Sequence, residues 1–504
     1  MTKRLTLVRG ATTAAAPVGT QGRQGDTALT AREGDTPAPR LSNRYPVEDV
    51  KLDDLKFNLR QLRSHPPHQI ALLAANYKEY GFLGPIIISA DNEIVAGEAR
   101  VLAARQAGFS SVPAIRVTDL SKTQLRGFRL SDNKVASLSD WIDPNLAAEF
   151  KELLELNYDI GFTSFSTAEI DRRLEVVITT AEPDPADAAV ERPALLVSRR
   201  GDVWVLGRHR LHCGDSTTAE AYVVVMGDGR ARLIFQDPPY NLRVSHVSGL
   251  GKVKHREFTM ASGEMPEEGF IAFLEKALNL GAAWLVDGGI AFTCMDWRHW
   301  FELSVAHRRA NLKLLNVCIW DKVSGGMGSF YRGQWEAVAV LKKGSEPHIN
   351  NIRLGATGRY RTNLWRYPGL AGFGKGRDEA LASHPTVKPV SLVADAIRDA
   401  SNRGDIILDP FSGSGTTILA AERTGRRGCA IEIDPAYVDV GVRRWEAMTG
   451  KRAVLEATGQ TFSEVAAARS HAGQVGPEPG TSSISHRVRH RTRTTTVQPQ
   501  RVEG

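Results

Sequence analysis

Short apolar runs bounded by turn residues alternate with helical spacings through the second half of the chain. Arg232-Leu-Ile-Phe235 is a buried-strand pattern that stops at Asp237-Pro-Pro-Tyr240. Asp405-Ile-Ile-Leu408 is a second, running into Asp409-Pro-Phe-Ser-Gly-Ser-Gly-Thr-Thr417 and an apolar helix from Thr416 to Arg423. Gly428-Cys-Ala-Ile-Glu432 is a third, followed by a helical pattern through about Thr449. Apolar runs with helices between them predict an α/β fold with a sheet covered on both faces. All three runs then end at the carboxyl edge of one sheet, where ligands of such sheets bind.

The first half has a different rhythm. Tyr45 to Leu55 reads as an opening strand, and Gly84-Pro-Ile-Ile-Ile88 with Glu93-Ile-Val-Ala96 as a hairpin turning at Asp91-Asn92. Gly97-Glu-Ala-Arg100 opens a helix through Ala107, before the strand Val112-Pro-Ala-Ile-Arg-Val117, giving a smaller α+β domain. Residues 1–41 and 461–504 lack an apolar period and are expected to be disordered, the latter carrying the basic run His486 to Arg493. Thr179 to Pro193, acidic and Pro-containing, reads as a linker. The expected order is therefore arm 1–41, domain 42–178, linker 179–193, domain 194–460 and tail 461–504.

Composition narrows the class. At 504 residues the chain is too long for one ordinary domain, and 42% hydrophobic with 24% charged residues fits a globular protein. The net charge of +7 permits a polyanionic partner without requiring one. Cys213, Cys294, Cys318 and Cys429 are far apart with no CxxC pair, so neither a disulfide framework nor a structural metal site is expected. No stretch approaches the roughly 18 apolar residues that span a bilayer, and no signal peptide is legible. A cytoplasmic protein without a membrane partner is expected.

Chemistry enters at the strand ends. Gly413-Ser-Gly415 between strand and helix allows close backbone approach. An acid at the loop entrance, Asp409, suits a ligand's ammonium group, and Glu432 at the next strand end suits ribose hydroxyls. A dinucleotide site would want a third glycine and would be repelled by Asp409. The pattern points to a cationic amino acid joined to a ribose: S-adenosylmethionine. In Asp237-Pro-Pro-Tyr240 the carboxylate of Asp237 and the carbonyl of Pro238 can accept both N–H bonds of an exocyclic amino group. The fixed φ of Pro238 and Pro239 holds that carbonyl rigid, and Tyr240 offers a flat face for a base taken out of a duplex. Carbon-5 methylation of cytosine would need a nucleophilic thiolate, usually in Pro-Cys, and no cysteine here follows proline.

At these residues the chain resembles the β class of amino-specific DNA methyltransferases, in which the catalytic tetrapeptide precedes the glycine-rich motif. That resemblance covers most of 194–450 and implies a Rossmann-like methyltransferase sheet. His384-Pro-Thr-Val-Lys-Pro389 is similar to a family motif beside the cofactor, Gly214-Asp215-Ser216 to its acidic loop, and Glu432-Ile-Asp434 to its ribose-binding segment. The resemblance thus implies Asp215, Lys388, Asp409, Phe411, Gly413, Gly415, Thr416, Glu432 and Asp434 as cofactor-binding residues. Met327 to Arg332 with Gln334-Trp-Glu336 is similar to a segment lining the target-base pocket, although the family often has His where Trp335 stands. Target recognition falls between the two main motifs, about 342–383, making Arg332, Arg359 and Arg361 candidates for contact with double-stranded DNA. Asp in the first position of the tetrapeptide is typical of adenine N6 enzymes, and cytosine N4 overlaps with it. Residues 42–178 resemble the ParB-like domain of partition proteins, where Gly97, Glu98 and Arg100 would sit at a nucleotide or phosphate site; a helix cap with an Arg100–Glu98 pair explains them equally.

The resemblance implies an enzyme. A ParB-like DNA-binding regulator on a non-catalytic methyltransferase scaffold, and an RNA amino-methyltransferase, stay as alternatives. A homodimer and a separately encoded restriction endonuclease are left open as partners.

Overall fold

The computed structural model describes residues 45–135, 137–156, 158–176, 184–188, 196–242, 261–323, 325, 330–352, 359–369 and 387–472. The expected arm 1–41, residues 473–504 of the tail, Met327 to Ser329 and His384 to Thr386 lie outside them, whereas the start of the tail, expected to be disordered, forms a helix at Phe462–Ala472 because Phe462 and Val465 bury against the core. Two compact units result, divided between Ser139 and Asp140.

The first unit holds β1 (Val47–Lys51), α1 (Pro67–Tyr80), β2 (Ile86–Ser89), β3 (Ile94–Ala96), α2 (Glu98–Ala107), β4 (Ser111–Val117) and α3 (Lys122–Val135). Its sheet runs β1-β4-β2-β3, with β2 parallel to β4 and the outer pairs antiparallel. The hairpin turns where the Asp-Asn pair predicts, with Asn92 at φ +62, a conformation Asn tolerates better than most residues. Ile86, Ile88, Ile94, Val101 and Val112 form the core, each worth about 1.5–3 kcal/mol in buried side chain.

The second unit begins with α4 (Asp143–Glu155) and α5 (Thr167–Val176). There follow β5 (Val203–Leu206), β6 (His209–Cys213), α6 (Ala219–Met226), β7 (Ala231–Gln236), α7 (Glu267–Trp284), β8 (Leu285–Met295), α8 (Trp300–Arg309), β9 (Leu312–Asp321), β10 (Trp335–Lys343) and β11 (Leu364–Arg366). The chain then forms α9 (Val390–Ala400), β12 (Ile406–Asp409), α10 (Thr416–Thr424), β13 (Arg427–Glu432), α11 (Pro435–Thr449), β14 (Val454–Leu455) and α12 (Phe462–Ala472). One ten-stranded sheet runs β11-β9-β10-β8-β7-β12-β13-β6-β5-β14. Strands β8, β7, β12, β13 and β6 are mutually parallel, and β10 enters antiparallel between β8 and β9. Two cores fill the two faces: Leu392, Val393, Ile397, Leu419 and Trp445 on one, Tyr222, Phe270, Leu274 and Leu303 on the other. The mixed α/β sheet is thus as expected. No helix among the described residues is long and apolar enough to cross a membrane.

The division between units lies upstream of the 179–193 stretch. Helices α4 and α5 belong with the large sheet because Asp171 of α5 is held by Arg403 at 2.8 Å and by Arg426 at 2.7 Å, all but sealed from solvent. Residues 184–188 of the expected linker are packed too. Asp184 accepts both guanidinium nitrogens of Arg423, Ala186 O accepts Arg444 at 3.0 Å, and Asp187 caps α9 at the N–H of Val390, 2.9 Å away. Acidic residues without an apolar period look like a linker in sequence, but Asp184 finds a cation and Asp187 a helix end.

Removing one partner of a buried ion pair strands the other. Asp171→Ala is expected to destabilise the second unit by about 3–5 kcal/mol, measured by chemical unfolding. A loss below about 1 kcal/mol would place α5 outside that unit's cooperative fold.

Candidate active site

The sheet order brings distant segments side by side. Strand β12 pairs with β7 in the register Leu408 to Ile234, so Asp409 and Asp237 leave adjacent parallel strands at one edge. Glu432 ends β13 on the other side of β12, and the N–H of Gly214, after β6, donates to Glu432 O at 2.9 Å. Strand β10 runs the other way, so its first residues, Trp335 and Glu336, lie at the same edge beside Asp321 at the end of β9.

Around Asp237 the charges interlock. Lys388 Nζ, 4% exposed, donates to Asp237 Oδ2 at 2.6 Å and lies 3.0 Å from Glu336 Oε2. Lys322 Nζ holds Glu336 Oε1 at 2.6 Å. The Tyr240 hydroxyl donates to Asp237 Oδ1 and lies 3.1 Å from Glu336 Oε2. Lys388 also sits over the rings of Tyr240 and Trp320, 5.5 Å from each centroid, which favours a cation. Burial pushes Asp237 above the ordinary carboxylate range; Lys388 pulls against that and Glu336 adds to it. Burial pushes Glu336 the same way, but the ammonium groups of Lys388 and Lys322 win and hold it at about 2. The two carboxylates are thus pushed in opposite directions by their surroundings. Burial and both carboxylates keep the Tyr240 phenol protonated, hence a donor.

The second half of the edge is acidic and uncompensated. Asp409 accepts from the N–H of Phe411 at 2.9 Å; burial drives it up to about 7 despite that bond and the Thr417 hydroxyl. Glu432 accepts from Gly413 at 2.7 Å and Asp434 at 2.8 Å and is likewise driven to about 7 by burial. No cation among the described residues pairs with either. Ser412 Oγ, in the loop between them, and Gln236 Oε1, beside the tetrapeptide, are buried without a hydrogen-bond partner among the described residues. Buried carboxyls and orphan polar atoms of this kind fit a ligand carrying cationic and hydroxyl groups.

Several sequence expectations are redirected. Lys388, expected at the cofactor, is committed to the tetrapeptide. Gly415, at φ +83, is required by packing: a Cβ there would come within 2.9 Å of Gly441 Cα. Thr416 is taken by Arg444 at 3.1 Å, and Asp434 caps α11 at Ala436 N. Asp215 makes a local turn, accepting from Thr217 N at 2.8 Å, and Phe411 packs on Phe273 at 6.1 Å between centroids. Arg359 and Arg361, expected to meet DNA, turn inward instead, Arg359 buried and Arg361 half-buried. Arg359 bonds Asp399 at 3.0 Å and Arg361 bonds Asp399 at 3.1 Å, both reaching Asp395 of α9 as well. Two carboxylates facing inward from one helix outcompete an exposed position. Arg332 is exposed.

In the first unit Gly97, at φ +108, does begin α2, where a Cβ would lie 2.8 Å from Ile86 Cγ2. Glu98 pairs with Arg129 at 2.9 Å, and Arg100 donates to Pro85 O at 2.8 Å, so the expected Arg100–Glu98 pair is absent. Lys322 was missed in sequence, and Glu336 was noted only as part of a pocket-lining segment. Their signal is positional, the residues flanking a strand pair that closes on the active edge.

Residues 231–443 match the DNA methylase family of N6 and N4 type, residues 144–200 the ParB-methyltransferase HTH domain, and residues 38–134 the ParB N-terminal domain. Type II methyltransferase M2.MboI of Moraxella bovis is 25% identical over 234 residues, 44% of this chain and 83% of the relative. M2.DpnII of Streptococcus pneumoniae is 27% identical over 228 residues, 43% of this chain and 82% of the relative. The M1.HpyAVI–SAM complex aligns with TM-score 0.33 and 17% identity over 47% of this chain and 98% of that one.

The burial of Arg359 has a measurable consequence. Arg359→Ala leaves Asp395 and Asp399 short of a cation and is expected to lower stability by about 3–5 kcal/mol. The slope of log DNA affinity against log salt should not change, whereas a slope reduced by about 0.9 would put this side chain on a phosphate.

Proposed function

We propose, from the premise that this chain is an S-adenosylmethionine-dependent DNA methyltransferase with its DNA methylase domain at 231–443, that the acceptor is the N6 amino group of adenine in a short DNA sequence. The observation that carries the reading is Asp237 at the head of Asp-Pro-Pro-Tyr, half-buried, raised above the ordinary carboxylate range and oriented by Lys388 and Tyr240. An amino nitrogen conjugated to a purine ring is a poor nucleophile. A carboxylate that accepts one N–H, with the Pro238 carbonyl accepting the other, favours a pyramidal nitrogen with its lone pair exposed. Asp237 is then placed to receive the proton the nitrogen sheds, while Glu336 stays ionised. Tyr240 stacks on the extruded base.

S-adenosylmethionine supplies a methyl group on a sulfonium. In this reading Asp409 faces its cationic amino-acid portion, Glu432 its ribose hydroxyls, Gly413 and Ser412 line the loop between, and Asp215 approaches the adenine ring. Arg332 meets DNA phosphate, and the part of 342–383 beyond the inward-turned Arg359 and Arg361 reads the target. DNA as substrate puts the enzyme in the cytoplasm. Homodimerisation and pairing with a separately encoded restriction endonuclease extend the same reading, and sedimentation of the purified chain tests the first.

Nucleoside analysis of DNA incubated with the chain is expected to yield N6-methyladenine, abolished by Asp237→Ala. N4-methylcytosine would transfer the same chemistry to cytosine, and no methylated base would overturn the reading. A second prediction concerns pH. Carboxyls that titrate near 7 when free must ionise to face a cation or to accept hydroxyls fully. Cofactor affinity is therefore expected to rise with pH up to about 7 and to fall roughly tenfold per contributing carboxyl between pH 8 and pH 6. Calorimetry in buffers of different ionisation enthalpy should show proton release near pH 7; binding heats independent of buffer would contradict it. The same groups lower the stability of the cofactor-free chain as pH climbs from the ordinary carboxylate range through 7, so the cofactor should raise Tm more at pH 8 than at pH 6.

A further inference from the structure

We infer that Glu336 is a positioning residue that frees Asp237 for its substrate: it is the acceptor onto which the Tyr240 hydroxyl moves when a target amino group arrives. This rests on the reading that Asp237 accepts the amino group, and extends it to a residue outside the tetrapeptide.

Both oxygens of Asp237 are already engaged. Oδ2 serves Lys388 Nζ at 2.6 Å and Oδ1 serves the Tyr240 hydroxyl. A carboxylate sharing its electron density between an ammonium and a phenol is a weakened acceptor for an amino N–H. Release of the phenol restores Oδ1, but a buried hydroxyl left without a partner costs as much as the bond it gives up. Glu336 removes that cost. Its Oε2 is already 3.1 Å from the same hydroxyl, so a small torsion of the Tyr240 ring hands the proton donor across with no orphan. Lys322 anchors the other oxygen of Glu336 at 2.6 Å, which fixes Oε2 in place. Lys388 donates to the phenol oxygen at 3.2 Å and lies 3.0 Å from that same Oε2, so it accompanies the hydroxyl in either position while keeping its hold on Oδ2. The remaining ionisable neighbours, Cys294 and Asp409, act on this cluster through space, and neither bonds the phenol.

A simpler role for Glu336 would be to balance the charge of two lysines. The two roles separate in a Lys322→Met background, where one cation is gone and an uncharged residue at 336 restores balance. There Glu336→Leu, which removes the acceptor, is expected to lower kcat by about thirtyfold. Glu336→Gln, which keeps an acceptor but no charge, should restore kcat to within about threefold of the background. Adding Tyr240→Phe leaves no hydroxyl to move, so the Leu-to-Gln difference should collapse. Affinity for target DNA without cofactor should follow the same pattern, because base entry is part of specific binding, while non-specific affinity stays level. Unfolding midpoints establish that each variant is folded. If the Leu variant is not, Glu336→Asp draws the oxygen back from the phenol while keeping the charge and should lose kcat only when Tyr240 is present. A Gln variant as poor as Leu, or losses independent of Tyr240, would overturn the inference. Turnover surviving in Asp237→Ala would instead overturn the reading beneath it.

Discussion

The active edge depends on one desolvated ammonium group. Lys388 is shared between Asp237 and Glu336, and burying three charges together costs several kcal/mol per ion unless the geometry repays it. That geometry requires three segments distant in sequence to be fixed against one another. Strand β7 delivers Asp237, antiparallel β10 delivers Glu336 from the opposite direction, and α9 begins two residues after Lys388. The supports of α9 therefore matter as much as the site. Asp187 caps its first turn, Arg359 and Arg361 grip Asp395 and Asp399 along its side, and Arg426 with Asn351 bonds the carbonyl of Ser401 at its end. Segments that look like linker or recognition loop in sequence act as the frame of Lys388.

The other half of the edge follows the opposite rule. Asp409 and Glu432 are buried with hydrogen bonds but no cation among the described residues, and both are driven up to about 7. Such groups lower the stability of the free chain at high pH and gain most when a cation arrives. In the proposed reading the two halves divide the work: charge compensated from within where the base would be oriented, and charge left uncompensated where a cationic cofactor would be drawn in.

How much of this the sequence carries depends on the range of the interaction. Strand ends at Asp237, Asp409 and Glu432 are legible because apolar runs and glycine turns are local signals. The fold class follows from their alternation. Glu336 and Lys322 leave little trace, since only the antiparallel insertion of β10 brings them to Asp237, and pairing order is not written in any one segment. Arg359 and Arg361 mislead for the same reason: cations among aromatics read as a nucleic-acid surface until Asp395 and Asp399 turn to meet them. Thr416 and Asp434 also have partners inside the protein, an Arg444 guanidinium and the N–H of Ala436, that their motif positions do not announce. The 179–193 stretch misleads most, because capping and pairing by Asp184 and Asp187 need no hydrophobic period.

In the proposed reaction Asp237 meets the target amino group after Tyr240 has let go of it. A structure of the chain with target DNA and a non-reactive cofactor analogue tests this most directly. The amino nitrogen is predicted within hydrogen-bond distance of Asp237 Oδ1, with the Tyr240 hydroxyl on Glu336 and Lys388 still on Oδ2. An extruded base whose amino group bonds elsewhere, with Tyr240 still on Asp237, would contradict it.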